Sequence, residues 1–148
     1  MRGATNAQDA PSSGVSFVVV SKTYASGDYI QFSLGLGTSA KGVSLANGDT
    51  TFSFAKGYKY LIICNFTPST VDGGIQGIGA IQGYANAKVW DTGGFSNIVD
   101  ARDGAKSGSI QNTTSANNTF VWFQVTILNL GGGRKLSLLR RLFRGRRS

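Results

Sequence analysis

The chain has 148 residues, which is enough for one domain with a single hydrophobic core and too few for two ordinary domains. It contains no histidine and one cysteine, which excludes an intrachain disulfide and the usual cysteine and histidine sites for structural zinc. Its net charge of +8 is unevenly distributed, because residues 134–148 carry seven basic residues and no acid while residues 1–133 are nearly balanced. The composition therefore predicts a nearly neutral body with a cationic tail.

The first fourteen residues are small and polar and end in Pro11-Ser12-Ser13-Gly14, which predicts a flexible arm over residues 1–14. They lack the apolar stretch of a secretory signal, so we expect no signal peptide. No continuous apolar run approaches the ~20 residues that cross a bilayer, so we expect no transmembrane helix. The folded domain is expected over residues 15–130, followed by a glycine hinge and the tail at residues 131–148.

The first half of the domain alternates between strand and turn patterns. Residues 15–22 are rich in β-branched side chains, and after a turn the segment 29–36 places Ile30, Phe32, Leu34 and Leu36 on one face that we expect to be buried. Residues 43–45 form a short apolar piece, and Asn47-Gly48-Asp49 marks a turn before a strand at residues 50–55.

The second half continues the pattern. Residues 58–66 are apolar at both parities, which predicts a strand covered on both faces. Glycines crowd residues 73–91 and indicate bulges or close backbone approach, and shorter strands are expected at 95–101 and 109–111. In the last segment, residues 120–130, one face is shared by Val121, Phe123, Val125 and Ile127. With no helical period before residue 134, these patterns predict an all-β jelly-roll sandwich of about eight antiparallel strands.

The segment TTFSFAKGYKYLIICNF (residues 50–66) resembles a signature of the TNF/C1q-like jelly rolls, which include head domains of bacterial collagen-like surface proteins and phage fibres. In that family an alternating strand, a small residue, glycine and tyrosine precede an apolar strand; here the matching positions are Phe52, Phe54, Ala55, Gly57, Tyr58, Leu61 and Ile62. The resemblance implies a compact homotrimer whose inner sheets pack around a three-fold axis, and a ligand-binding or structural role without catalysis. The chain departs from the family in lacking a preceding collagen-like repeat and in ending with an arginine-rich extension.

The residue types present exclude the common catalytic arrangements. Without histidine or glutamate, neither Ser–His or Cys–His pairs nor paired glutamates can be assembled, so we predict no enzyme, no cofactor and no small-molecule substrate. Asp100 and Asp103 lie three residues apart but fit turn positions better than calcium ligands, and we predict no metal site. Cys64, within the most apolar strand, is expected to be a buried, inert thiol.

The glycosylation sequons at Asn65, Asn112 and Asn117 are interpreted as turn and loop residues. The aromatic residues divide into two groups. Those in alternating strand patterns are expected in the core: Phe17, Phe52, Phe54, Phe66, Phe120 and Phe123. Three others are predicted to face a neighbouring subunit, because amphipathic rings are enriched where subunits pack: Tyr84, Trp90 and Trp122.

The tail places Leu136, Leu139 and Phe143 at helical spacing, which is compatible with a short amphipathic helix. Its basic residues lie opposite: Arg134, Lys135, Arg140, Arg141, Arg144, Arg146 and Arg147. This pattern fits contact with nucleic-acid phosphates, with an anionic membrane or with an acidic scaffold protein, and the alternative is a solvated tail that only improves solubility.

These observations favour a non-enzymatic structural or adhesive protein, a trimeric TNF/C1q-like head of a virion or surface fibre whose tail serves as an anchor. The alternative is a small single-jelly-roll viral coat protein whose basic C-terminal tail binds packaged nucleic acid. An enzyme ranks third. Both leading hypotheses place the protein in a virion or at a cell surface.

Overall fold

The computed structural model describes residues 14–37 and 40–132. Within these ranges the chain forms ten β-strands and no helix. The strands are β1 (Val15–Val19), β2 (Phe32–Gly37), β3 (Val43–Ser44), β4 (Phe52–Phe54), β5 (Lys59–Pro68), β6 (Gly73–Gly79), β7 (Tyr84–Ala87), β8 (Gly93–Asp100), β9 (Lys106–Asn112) and β10 (Phe120–Gly131).

The strands pair into two antiparallel five-stranded sheets. The first sheet has the order β2-β1-β10-β5-β8 and the second has the order β3-β4-β9-β6-β7. β10 lies at the centre of the first sheet because it pairs with β1 on one side and with β5 on the other. Strands distant in sequence therefore lie side by side in both sheets, as in a jelly roll, and the all-β sandwich predicted from the sequence is confirmed.

The inner faces of the two sheets meet in an aromatic core. Phe52 of the second sheet packs edge-on against Phe17 of the first with ring centroids 5.2 Å apart, and Phe32 packs against Phe123 at the same distance. Edge-to-face ring pairs add specific geometry to the burial of apolar area. All six phenylalanines that the alternation assigned to the core are buried, so that prediction is confirmed.

The glycine-rich segment differs from the single strand pattern expected there. Residues 73–91 contain two strands, β6 and β7, joined by a turn in which Gly79 and Gly83 have φ angles of 68° and 135°. Only glycine adopts such angles readily, so these two residues end the strands. This division is the main reason for ten strands instead of about eight.

Two side chains predicted to be buried are exposed. Leu34 lies on the same face of β2 as the buried Phe32, but it is 50% exposed, and β2 is the edge strand of its sheet. Val121 is 55% exposed because the pairing of β10 with β5 shifts between Phe120 and Trp122. Such a one-residue irregularity moves a side chain out of the alternation, so a strict alternation assigns Val121 wrongly.

The sandwich has two distinct ends. Gly14 precedes β1 beside Leu128, and Gly132 follows the end of β10, so both termini of the described domain emerge at one end, here called the terminal end. The opposite end, here called the tip, is built from the connections at residues 20–31, 69–72, 88–92 and 113–119.

Candidate functional site

The outer face of the first sheet is apolar over its central strands. Leu128 pairs with Leu61, which in turn pairs with Ile98, so three apolar side chains form one continuous row across β10, β5 and β8. Apolar neighbours directly across antiparallel strands pack against one another. This surface, here called the apolar face, comprises Val18, Leu61, Ile63, Ile98, Trp122 and Leu128, all half-buried or exposed. Polar side chains also point outward among them: Ser16, Asn65, Ser96, Gln124 and Thr126.

The apolar face explains why residues 58–66 are apolar at both parities. Tyr60, Ile62, Cys64 and Phe66 point into the core and are completely buried. The side chains between them point outward, and in the single chain nothing in the second sheet covers them. The prediction that β5 is covered on both faces is therefore confirmed for the inner face, and within the chain it is wrong for the outer face.

The outer face of the second sheet has a different composition. Along β4, β9 and β6 its outward side chains are mainly hydroxyls and amides, joined by contacts such as Thr51 Oγ1 to Ser109 Oγ at 3.4 Å. This polar face comprises Thr51, Ser53, Gln76, Ser107, Ser109 and Gln111, with Ile78 as a half-buried apolar exception. The two sheets are thus alike inside the sandwich and unlike outside it.

Charge is also unequal between the two ends. The terminal end carries five basic side chains against two acids, Asp100 and Asp103; the basic ones are Lys41, Lys56, Lys59, Arg102 and Lys106. The remaining described surface carries two lysines against four aspartates. The end of the domain from which the basic tail continues is therefore itself basic.

The one cysteine is inaccessible. Cys64 is fully buried in β5, and burial raises the pKa of its thiol to about 12. A thiol with so high a pKa is protonated at neutral pH and is a poor nucleophile, which confirms the interpretation of Cys64 as a buried, inert side chain.

The acidic side chains of the described residues show no cation-binding arrangement. Asp100 accepts hydrogen bonds from Arg102 Nε at 2.8 Å and from Arg102 Nη2 at 2.7 Å, and this bidentate pair lowers the pKa of the carboxyl well below its usual range. In residues 14–37 and 40–132 no three acidic, cysteine or histidine groups are close enough to hold a metal ion.

The three aromatic residues predicted to face a neighbour lie in separate places. Trp122 belongs to the apolar face and is 46% exposed. Trp90 lies in the turn at residues 88–91 at the tip, and Tyr84 begins β7 at the edge of the second sheet. Trp122 alone of the three thus lies on the surface that is suited to subunit packing.

Asn112 and Asn118 are a feature that the sequence pattern did not reveal as structural. Both are completely buried at the tip, and Asn112 Nδ2 donates to the carbonyl oxygens of Tyr24 at 3.1 Å and Ala25 at 3.0 Å. An amide nitrogen engaged in this way is not accessible for glycosylation. Asn112 ends strand β9 and Asn65 lies within β5, so the interpretation of these two sequons as turn and loop residues is wrong. Asn65 and Asn117 are exposed.

The arm at residues 1–13 and the tail from Arg134 to Ser148, with all its predicted contact residues, lie outside the described residues. Across the part of the chain that the structure does describe, no helix is long and apolar enough to cross a membrane.

No family model matches the sequence, and no curated protein matches it. Solved structures do match the fold. Murine APRIL matches with a TM-score of 0.58 at 14% identity, over 80% of this chain and 98% of that one. Eiger TNF from S. frugiperda gives 0.57 at 7% identity, over 80% and 92%. The globular domain of zebrafish complement 1qA protein gives 0.56 at 7% identity, over 79% and 95%. The chain therefore has the TNF/C1q-like jelly-roll fold that its sequence resemblance predicted.

Proposed function

We propose that the chain is the head of a homotrimeric, non-enzymatic structural or adhesive protein of a virion or surface fibre, and that its basic tail anchors it. The observation that carries this proposal is the apolar face. Exposed apolar side chains that lie side by side, as Leu128, Leu61 and Ile98 do, are typical of surfaces where proteins associate.

The choice of surface follows from the contrast between the sheets. Packing through the first sheet removes the row of Leu61, Ile98 and Leu128 from water, whereas the second sheet offers only Ile78 and Tyr84 among mainly polar outward side chains. Trimers of this fold pack one sheet from each subunit around a common axis, and the apolar face has the chemistry for that role.

Anchoring at the terminal end is supported by geometry and charge. The last strand ends at Gly131 beside Lys59, and the tail continues from there with seven further basic residues. A trimer would present three such tails side by side, so that weak contacts with an anionic surface reinforce one another. The tip then faces away from the anchored side.

A viral coat protein whose tail meets packaged nucleic acid is the second candidate. It uses the same basic end and tail, because lysine and arginine side chains neutralise phosphates without reading sequence. The two candidates differ in the size of the assembly and in what the tail binds.

Sedimentation equilibrium of the full chain and of residues 1–133 tests the proposal. We expect the full chain to have three times its monomer mass of 15.6 kDa. The shorter chain should likewise have three times its own monomer mass. Large closed shells, or nucleic-acid binding that weakens steeply with salt and disappears without residues 134–148, would favour the coat protein. A monomer at tens of micromolar would overturn the trimer.

A further inference from the structure

The tip contains a cleft of about 470 Å³ that the proposed trimer and tail do not use. It opens where β6 begins and where β7 and β9 end. Its walls carry amide and hydroxyl groups and one side chain of each charge: Asp72, Asn86, Lys88, Thr113, Thr114 and Ser115. Apolar side chains, which line most pockets for drug-like ligands, contribute only Ala87.

The cleft exists because its floor is glycine. A Cβ atom at Gly74 would lie 2.6 Å from Asn86 Oδ1 and 2.8 Å from Thr113 Oγ1, so any side chain there would fill the space between the two walls. Glycine in a strand interior weakens the strand and often marks a place where a ligand approaches the backbone closely. Gly74 allows two hydrogen-bonding side chains, Asn86 and Thr113, to lie close over its backbone.

The walls are held in place by buried hydrogen bonds. Asn112 Oδ1 accepts from the backbone N–H of Thr114 at 3.2 Å, and Asn118 Nδ2 donates to Thr114 Oγ1 at 3.3 Å. Thr114 Oγ1 in turn accepts from the N–H of Gly74 at 3.1 Å. A polar wall fixed by buried partners is preorganised, so a ligand would not have to order it on binding.

Beside the cleft, the turn at residues 88–91 presents Trp90. The N–H of Asp91 donates to the carbonyl oxygen of Lys88 at 2.8 Å, which makes Trp90 the third residue of the turn, and its φ is 71°. Glycine and asparagine are the usual residues at this position, because a positive φ strains the backbone of residues with other side chains. The Trp90 indole is nevertheless 64% exposed, so burial of the ring does not account for its presence.

The turn is tied to the cleft. The N–H of Val89 donates to Asp72 Oδ1 at 2.9 Å, and the N–H of Trp90 donates to the carbonyl oxygen of Pro68 at 2.8 Å. Lys88 lines the cleft, and two residues of chain span at most about 7 Å, so the Trp90 backbone lies at the rim.

We propose that the tip cleft and Trp90 form a binding site for a neutral saccharide. Sugar hydroxyls match the amide and hydroxyl groups of Asn86, Thr113 and Ser115, which both donate and accept. The C–H face of an adjoining sugar ring matches the negative face of an exposed indole. A strongly anionic ligand is disfavoured because Asp72 offsets Lys88. All these residues belong to one chain, so the site does not depend on the trimer.

Binding of the full-length protein to a printed array of neutral and sialylated oligosaccharides tests this site, followed by titration calorimetry with the neutral glycan that binds best. We expect Trp90→Gly to weaken binding at least tenfold while its Tm stays the same or rises by a few degrees, because strain is relieved. Thr113→Val, at an exposed position, should weaken binding several-fold without loss of folding.

Tyr84→Ala is the matched control, because Tyr84 is 73% exposed at the other end of the same edge strand and should leave binding unchanged. Absence of binding to any neutral glycan would overturn the proposal, as would binding restricted to sialylated glycans. Equal binding by wild type, Trp90→Gly and Thr113→Val would also overturn it. Because the oligomer mass is measured separately, failure of this site is distinguishable from failure of the trimer.

Discussion

The two sheets of this domain are built to the same plan on the inside and differ on the outside. Each contributes phenylalanine and isoleucine side chains to a common core. On the outside, Leu61, Ile98 and Leu128 cross the first sheet in a row, while Gln76 and Gln111 face each other across the second. Folding of the chain alone explains only the inner faces. The difference between the outer faces is the reason why we propose the first sheet, and not the second, as the surface that meets another subunit.

The largest expected effect comes from placing a charge on each outer face. Ile63 and Ile78 are both half-buried isoleucines, on β5 of the apolar face and on β6 of the polar face. Ile63→Asp should dissociate the proposed trimer, because a carboxylate from each subunit would lose its hydration in the contact. Ile78→Asp should leave the oligomer mass unchanged.

Sedimentation velocity of both variants, with circular dichroism to show that each is folded, distinguishes these outcomes. If Ile63→Asp kept the wild-type mass, or if Ile78→Asp dissociated the assembly instead, the assignment of the two faces would be wrong.

The second expected effect concerns Asn112, where β9 of the second sheet reaches the tip. Asn112→Ala removes three hydrogen bonds, leaving the carbonyls of Tyr24 and Ala25 and the N–H of Thr114 without that partner. The carbonyl oxygens of Tyr24 and Ala25 keep hydrogen bonds from the N–H groups of Asn118 and Asp28. Since each lost hydrogen bond costs ~1 kcal/mol, we expect a loss of about 3 kcal/mol in the free energy of unfolding. Guanidinium denaturation measures it.

The neighbouring residue supplies the control. Gln111 faces outward and donates one hydrogen bond, to the carbonyl oxygen of Gly27 at 2.9 Å in an exposed position. Gln111→Ala should cost less than about 1 kcal/mol. Similar losses for the two variants would mean that the buried asparagine does not organise the tip.

A third prediction uses the pH dependence of stability to compare the buried side chains of the two sheets. The pKa values of Cys64 and Tyr60, both buried in β5, are raised to about 12 by burial, from 9.0 and 10.0. As pH rises, the unfolded chain loses these two protons at lower pH than the folded chain does. The free energy of unfolding therefore keeps their full contribution below about pH 9 and falls as pH rises toward 12. The interior of the second sheet contributes phenylalanine and isoleucine, which do not titrate.

Tyr60→Phe should therefore flatten the decline in urea midpoint between pH 10 and 12. At pH 7 it should cost about 1 kcal/mol, because the hydrogen bond from Tyr60 Oη to the carbonyl oxygen of Ala55, 2.8 Å long, is lost. An unchanged alkaline slope would show that Tyr60 does not titrate during unfolding.

The sequence predicted the sandwich well because its strands have strong local signals. Alternation in residues 50–55 placed Phe52 and Phe54 in the core, and the double parity of residues 58–66 identified a central strand. It misplaced Val121 because the register shift in β10 depends on the partner strand β5, which lies far away in the sequence. It misplaced Leu34 because the place of β2 at the edge of the sheet depends on the whole topology. Alternation alone contains no information about neighbouring strands.

The tip was less predictable than the sheets. Asn112 and Asn118 are polar, and polarity normally indicates exposure, yet both satisfy backbone groups from distant loops. Trp90 gave no turn signal, because the residues Lys-Val-Trp-Asp lack glycine and asparagine at the position where φ is positive. The cleft combines three segments that only the folded topology brings together.

The smallest expected effect tests the rim of the apolar face. Asp100 ends β8 opposite Lys59 and is paired with Arg102 on a partly exposed surface. Exposed ion pairs contribute ~0–1 kcal/mol, so Arg102→Ala should lower stability by less than about 1 kcal/mol above pH 5. Because the pair lowers the pKa of Asp100, this contribution is present above the ordinary carboxyl pKa and is lost as pH falls below it. Thermal unfolding of wild type and Arg102→Ala at pH 7 and pH 3 measures both effects. A difference well above 1 kcal/mol at pH 7 would mean that assembly removes this pair from water, so that the subunit contact extends from the apolar row to the terminal end.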